Sequence, residues 1–417
     1  MNKTRPLILK AGLAAAAVAL LAQSAAPCTL AVLSGRATAN GRPLMWKNRD
    51  TSDPNNKLAF FKGPRYDFAG VVIAEAATPA AEVWGGQNAA GFAIMNSQAD
   101  DLGDAAKKLA GDGNGAFMKL ALGECATVRD FEALLVREKG KWDLAANFGV
   151  IDAEGGACFF ETRRDSFVKF DARDPRVAPF GTIVRTNFAF TSPDQMQGGG
   201  FDRFERIGHI IEAARPLGRI DARFILREAS RDLVQEKLHS NPLARTLPDD
   251  PAAPLYVHTN DTINRNTSVS ALVFEGAPSR DRADLATMWV LLGQPVTGVA
   301  VPVWPASGRV PAAVSGPTTA PLNDVALAIA SYLYPDRRGR MSQYLNVTRF
   351  RTYGGEGILP KLFRIEDRAL ETTAARWTAW AAHKPSPDEM AEFEEALASE
   401  AFESMKREFA DIVSIRR

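Results

Sequence analysis

Cys28-Thr29-Leu30-Ala31-Val32-Leu33-Ser34, then Asn40-Gly41, then Pro43-Leu44-Met45-Trp46-Lys47-Asn48-Arg49-Asp50: these residues decide the fold. Thr29 to Ser34 alternates and is β-leaning. Asn40-Gly41 lies between two apolar runs, the strongest short-range hairpin signal. Pro43 to Asn48 is then the return strand, and it ends in a cluster of charge.

Upstream of Cys28 the sequence reads as a leader covering 1–27. Lys3, Arg5 and Lys10 are followed by the short apolar run Ala11 to Ala22 and by small residues at Ser24, Ala25 and Ala26, the order of a secretory signal. The run is too short to span a bilayer. Losing this segment removes three of the 50 basic side chains and none of the 49 acidic ones, so the mature chain is near neutral. A periplasmic or secreted location follows as an expectation, with no stable membrane insertion after processing.

Downstream, strands are expected at Leu58–Lys62, Gly70–Ala74, Phe92–Asn96, Thr182–Asn187, Val269–Phe274 and Thr287–Leu291. A second hairpin joins Ala146–Asp152 to Ala157–Thr162. Helices are expected near Ala116–Leu122, Val128–Arg137, Asp202–Ala214 and Ala222–Val234. Thr127 and Asp130 stand in capping-box spacing before the second of these. Pro302–Pro321 reads as a loop, and helices follow near Asp324–Leu333, Arg364–Ala382 and Pro387–Ile412. Strands in runs, with helices grouped between them, give an α+β fold of layered antiparallel sheets. The division expected is 28–305 for a catalytic domain and 306–417 for a loop and helical extension packed on it.

With 417 residues, 46% of them hydrophobic, the chain carries a sizeable core, and a formal charge of +1 leaves no basic stripe for nucleic acid. The three cysteines, Cys28, Cys125 and Cys158, are too few for a disulfide scaffold. Cys125 and Cys158 read as separate core residues more readily than as a pair. The four histidines, His209, His239, His258 and His383, form no metal or triad pattern. No metal and no cofactor is expected. Gly111-Asp112-Gly113-Asn114-Gly115 lacks the P-loop lysine and the calcium-loop carboxylates and reads as a surface loop. Trp84, Trp142, Trp289 and Trp304 read as core.

Cys28 is the residue with chemistry. A cut between Pro27 and Cys28 puts a thiol, pKa about 8.5, and an α-amine, pKa about 7.7–8.0, on one residue. The amine is substantially neutral near pH 8 and can take the thiol proton, a known way to activate a nucleophile. The competing reading is a Cys28-anchored lipoprotein that binds rather than reacts. A lipobox places Leu three residues before Cys and a small residue directly before it, where this chain has Ala25 and Pro27.

Cys28-Thr29, the hairpin and the strand end Lys47-Asn48-Arg49-Asp50 together resemble the N-terminal-nucleophile amide hydrolases of the choloylglycine hydrolase, penicillin V acylase and acyl-coenzyme A:6-aminopenicillanic acid acyltransferase group. Gln87 to Asn96, the hairpin ending in Glu161-Thr162, Val184-Arg185-Thr186-Asn187 and Gly200-Phe201-Asp202-Arg203-Phe204 extend the resemblance in order through roughly residues 28–305. It implies a four-layer αββα sandwich and a linear amide substrate attacked by Cys28. It implies that Asp50 holds the nucleophile's amine, that Asn96 and Asn187 serve the oxyanion, and that Arg203 is structural or orients substrate. Lys47 stands where that family has arginine, and Arg49 beside it is a partial substitute; both are expected at the substrate. Beside an ammonium, Asp50 is expected to stay ionised. The thioester is resolved by water, giving hydrolysis, or by an amine, giving acyl transfer. The expected partner is a small N-acyl amide, and association into a homo-oligomer is left open.

Overall fold

The computed structural model describes residues 27–76, 80–99, 101–102, 113–193, 195, 198–250, 252–335 and 341–414. All of the leader but Pro27 lies outside the described residues, as do Gly111 and Asp112.

In chain order the elements are β1 (Thr29–Leu33), β2 (Leu44–Asp50), β3 (Asn56–Phe61), β4 (Phe68–Ile73), β5 (Gly86–Asn88), β6 (Ala93–Gln98), α1 (Asn114–Glu124) and α2 (Val128–Arg137). Next come β7 (Ala146–Ile151), β8 (Ala157–Thr162), β9 (Phe167–Asp171), β10 (Thr182–Arg185), α3 (Phe201–Ala214), α4 (Ala222–Phe224) and β11 (Tyr256–His258). The chain continues through β12 (Ser268–Glu275), β13 (Thr287–Leu292), β14 (Ala300–Val303), α5 (Pro321–Leu333), β15 (Tyr344–Asn346), α6 (Val347–Thr352), α7 (Ile358–Ala382), α8 (Pro387–Glu408) and α9 (Ala410–Ser414).

Two antiparallel sheets carry the fold. One runs β10-β1-β2-β12-β13-β14 and the other runs in sequence order from β3 to β9. Strand alternation sorts each sheet into two faces. Leu30, Val32, Met45 and Leu272 of the first sheet meet Leu58, Val71, Met95 and Phe159 of the second in one buried cluster between the sheets. The outer face of the second sheet packs Ile94, Phe148 and Phe160 against Phe117 of α1 and Phe131 of α2. The outer face of the first packs Ala31, Trp46, Val273 and Trp289 against Ile207 and Ile211 of α3 and Leu370 of α7. The result is the αββα layering, with additional helices at the C-terminal end.

The β1–β2 hairpin forms as expected, with Thr29 opposite Asn48 and Leu33 opposite Leu44. Its connection contains a tight turn at Gly35–Ala37, and Gly41 has φ +73°. α2 carries the full capping box between Thr127 and Asp130. The expected helix over Ala222–Val234 is shorter: α4 widens into a π turn at Ile225–Ala229 and stops. The carbonyls a longer helix would use internally are taken elsewhere, Ser230 O by Asn48 Nδ2 at 2.8 Å and Asp232 O by the Asn264 N–H at 2.9 Å. Asn114 and Gly115 form the buried first turn of α1, not a surface loop. Pro302–Pro321 includes the end of β14 and two short 3-10 turns, and it is pinned by α8: Trp304 N and Ser307 Oγ both bond to the Glu394 carboxyl.

Candidate active site

Cys28 immediately precedes β1, and its side chain belongs to the inter-sheet cluster while that of Thr29 points to the α3 face. Cys28 is 5% exposed. With Pro27 attached, the Cys28 peptide N–H donates to Asn187 Oδ1 at 2.8 Å. Arg203, on the first turn of α3, donates from Nη1 to Cys28 O at 2.6 Å and to Thr29 Oγ1 at 2.7 Å, and from Nη2 to Asn187 Oδ1 at 3.1 Å. Both backbone polar atoms of Cys28 are thus held by side chains from distant elements. Gly200, φ +82°, starts α3, and a Cβ there would collide with the Arg203 guanidinium.

Arg203 can only donate, so the Asn187 oxygen must face it and the Asn187 nitrogen must face away. That Nδ2 donates to Gln98 O on β6 at 2.9 Å. The Asn187 amide is therefore engaged at both ends. The geometry fits holding the Cys28 nitrogen better than the oxyanion donation expected of it.

Lys47 and Arg49 share the inter-sheet face of β2 with Met45. Lys47 Nζ donates to Trp84 O at 2.8 Å and to Asn96 Oδ1 at 2.9 Å. An ammonium has no acceptor, so Asn96 turns its oxygen to Lys47 and its Nδ2 away. Asn96 lies two residues from Gln98 on β6, about 7 Å along the strand, and so close to the Asn187–Cys28 contact. Continuing the β1–β2 register sets Cys28 opposite Arg49. Arg49 Nη1 donates to Asn56 Oδ1, and its guanidinium lies 5.1 Å from the Trp84 ring. Among the described residues no carboxylate comes within ion-pair distance of it. Burial pulls Arg49 down to about 10 despite the nearby Cys28, Asp53 and Asp50, and burial likewise brings Arg203 to about 10.

Asp50 ends β2, fully buried. Ser268 Oγ donates to its Oδ1 at 2.6 Å, and Arg265 Nη1 is 3.8 Å from its Oδ2. Oδ2 has no hydrogen-bond partner. Burial pushes this carboxyl up from the ordinary aspartate value, against Arg265, Arg203, the Ser268 hydrogen bond and Lys47. The expected depression presumes an α-ammonium, and with Pro27 still attached the Cys28 nitrogen carries no charge.

Ser268 and Arg265 escape sequence reading. They come from the β12 entry, 218 and 215 residues after Asp50, where a β-bulge between Ser268 and Ser270 sets Ser268 opposite Asp50. Asn48 faces away from the site and supports the fold through Ser230 O. Glu161 forms a fully buried pair with Arg185 at 3.0 Å and accepts the Phe190 and Thr191 N–H groups. Cys125 and Cys158 are separate buried thiols, each pushed up to about 12, first by burial and then by nearby carboxylates. Among the described residues no group of His, Cys, Asp and Glu is placed to hold a metal.

No family model matches the sequence, and no curated protein does. Among solved structures, the chain is similar to a Caenorhabditis elegans ortholog of N-acylethanolamine-hydrolyzing acid amidase, at 17% identity over 63% of this chain and 100% of that one, TM-score 0.42. It is also similar to penicillin V acylase from Agrobacterium tumefaciens, at 17% identity over 66% and 86% of the two chains, TM-score 0.38. A mutant of the conjugated bile acid hydrolase from Clostridium perfringens matches at 11% identity over 66% and 92%, TM-score 0.39.

Proposed function

We propose that this is an exported cysteine hydrolase of linear amides, with Cys28 as nucleophile once Pro27 and the residues before it are removed. The observation that carries the reading is the cage around Cys28. Asn187 accepts from its nitrogen, Arg203 holds its carbonyl, and a buried carboxylate oxygen of Asp50 lacks a donor. Buried polar atoms without partners are rare and call for an explanation. A freed α-ammonium on Cys28 would be a donor for that oxygen and would add its charge to those of Arg265, Arg203 and Lys47.

In the mechanism, the Cys28 amine takes the thiol proton and Sγ attacks the amide carbonyl carbon. A C–S bond forms and the carbonyl electrons move to oxygen. Asn96 Nδ2, aimed by the Lys47 contact, donates to that oxyanion. Collapse breaks the C–N bond, and the Cys28 ammonium returns its proton to the leaving amine. Water, deprotonated by the amine, then attacks the thioester carbon; the C–S bond breaks, the acid is released, and the ammonium proton returns to Sγ. Asn187 and Asp50 position the amine and Arg203 positions the Cys28 backbone. Cys28→Ala is expected to abolish turnover of an N-acyl amide panel while leaving the circular dichroism spectrum unchanged. Amidase activity surviving in that variant would sink the proposal.

A further inference from the structure

The residue in front of the nucleophile shows where the acyl group sits, an inference that rests on the hydrolase reading above. In self-processing, Cys28 Sγ attacks the Pro27 carbonyl carbon. The C–S bond forms, the Pro27–Cys28 C–N bond breaks, and the Cys28 nitrogen leaves with the thiol proton as a free amine. Water then cleaves the C–S bond, yielding the Pro27 carboxyl and the thiol. Substrate turnover passes through the same covalent arrangement, an acyl group on Cys28 Sγ. The acyl carbon moves only from the Cys28 nitrogen to its Sγ, so the space beside Pro27 borders the acyl group.

Pro27 forms part of the wall of a cavity of about 270 Å³, together with Asn187, Arg203, Lys237, Asn260, Asp261 and Arg265. Ligand pockets commonly span about 300–1,000 Å³ and are mostly apolar; this one is smaller, and charged and amide side chains share its wall with Phe201 and the glycines before it. Lys237 is paired with Asp202 at 2.8 Å, and Arg265 Nη2 donates to Asn260 Oδ1 at 2.5 Å. Arg265 Nε is buried without a hydrogen-bond partner. A hydrocarbon laid against these groups would strip them of water and return no hydrogen bond, which is costly. A peptide carbonyl supplies an acceptor. We propose that the acyl subsite takes a short peptide-like acyl group rather than a long alkyl chain.

The test uses the chain beginning at Cys28 and two anilides of one amine, acetyl-Ala-Ala-Pro and dodecanoyl. kcat/KM for the peptide is expected to exceed that for the lipid at least about tenfold, the worth of about one hydrogen bond. The ratio should collapse in Asn260→Leu combined with Asp261→Leu. Independently of turnover, the free acid acetyl-Ala-Ala-Pro should protect Cys28 from iodoacetamide. Preference for the dodecanoyl anilide, or no protection by the peptide acid, overturns the subsite and leaves the hydrolase reading standing. Protection without turnover of either anilide upholds the subsite and removes the hydrolase reading.

Discussion

Two buried carboxylates, Asp50 at the end of β2 and Glu366 within α7, receive opposite treatment. Glu366 is paired by Arg231 through two bonds of 2.8 and 2.9 Å and also accepts the Ala300 N–H at 2.9 Å. Arg231 spends its remaining N–H groups on Pro295 O, Leu226 O and Gly298 O. Nothing in that cluster is left over, and it ties α7 to the first sheet. Around Asp50 the nearest cation stands 3.8 Å away and one oxygen has no donor. Lys47 and Arg49 alongside it are held by neutral carbonyl and amide oxygens. A satisfied buried charge marks structure; under the proposed function, the Asp50 oxygen without a donor is where the Cys28 amine would supply one.

The contrast breaks most sharply at the C-terminal pair. Glu366→Ala leaves Arg231 buried and alone, and losing one partner of such a pair costs about 3–5 kcal/mol. Urea unfolding should show that loss, while kcat of the folded fraction stays near wild type. Asn96→Ala should do the reverse, lowering kcat about 10²–10³-fold, as loss of one oxyanion donor does, with a smaller fall in Cm than Glu366→Ala because Lys47 keeps the Trp84 O acceptor. An Asn96→Ala effect confined to KM would move Asn96 to substrate binding.

Asp50→Asn sharpens the comparison. Made in the Cys28→Ala precursor, it should not lower Tm, because an amide relieves the buried charge that has no full partner. In the processed enzyme it should cut kcat/KM about tenfold or more and move the rising limb of the pH profile to lower pH, since the α-ammonium loses its counter-charge. An unmoved limb would return Asp50 to a purely structural role.

The smallest effect concerns Glu394 on α8, whose carboxyl burial raises from the ordinary 4.5 to about 8, against bonds from Trp304 N and Ser307 Oγ and the charge of Arg309. Ser307 has one hydroxyl hydrogen yet faces both Glu394 Oε1 and Arg309 O. A protonated Glu394 donates to Ser307 and leaves that hydrogen for Arg309 O. The folded chain then holds a proton that the unfolded chain releases, so this contribution is complete below about pH 4.5 and fades as pH rises toward 8. Corrected for the intrinsic base-catalysed rate, protection of the α8 amides should fall between pH 5 and 8.5 in wild type and stay flat in Glu394→Gln.

Two strand pairings, β1–β2 and β7–β8, were legible because their signals are local. An Asn-Gly turn sets the β1–β2 pairing, and a Glu-Gly-Gly turn sets β7–β8. The Thr127–Asp130 box starts α2. β5, β9 and β14 were not legible, being three to five residues long with no turn of their own to announce them. The truncation after α4 depends on Asn48 and Asn264, side chains remote in sequence. Of the candidate site, the resemblance named Cys28, Asp50, Asn96, Asn187 and Arg203, and the structure brings Asn187 and Arg203 onto the Cys28 backbone. The division of labour among them was not legible, because it depends on which end of each amide faces a cation. Ser268 and Arg265 lay beyond reach, since a bulge rather than a motif delivers them.

The most direct test is mass spectrometry of the active protein, acid-quenched during turnover of an N-acyl amide and digested. The account predicts an N-terminal peptide that begins at Cys28, carries a free α-amine and bears the acyl mass on its thiol. Turnover by a chain that retains Pro27, or with Cys28 never acylated, would contradict it.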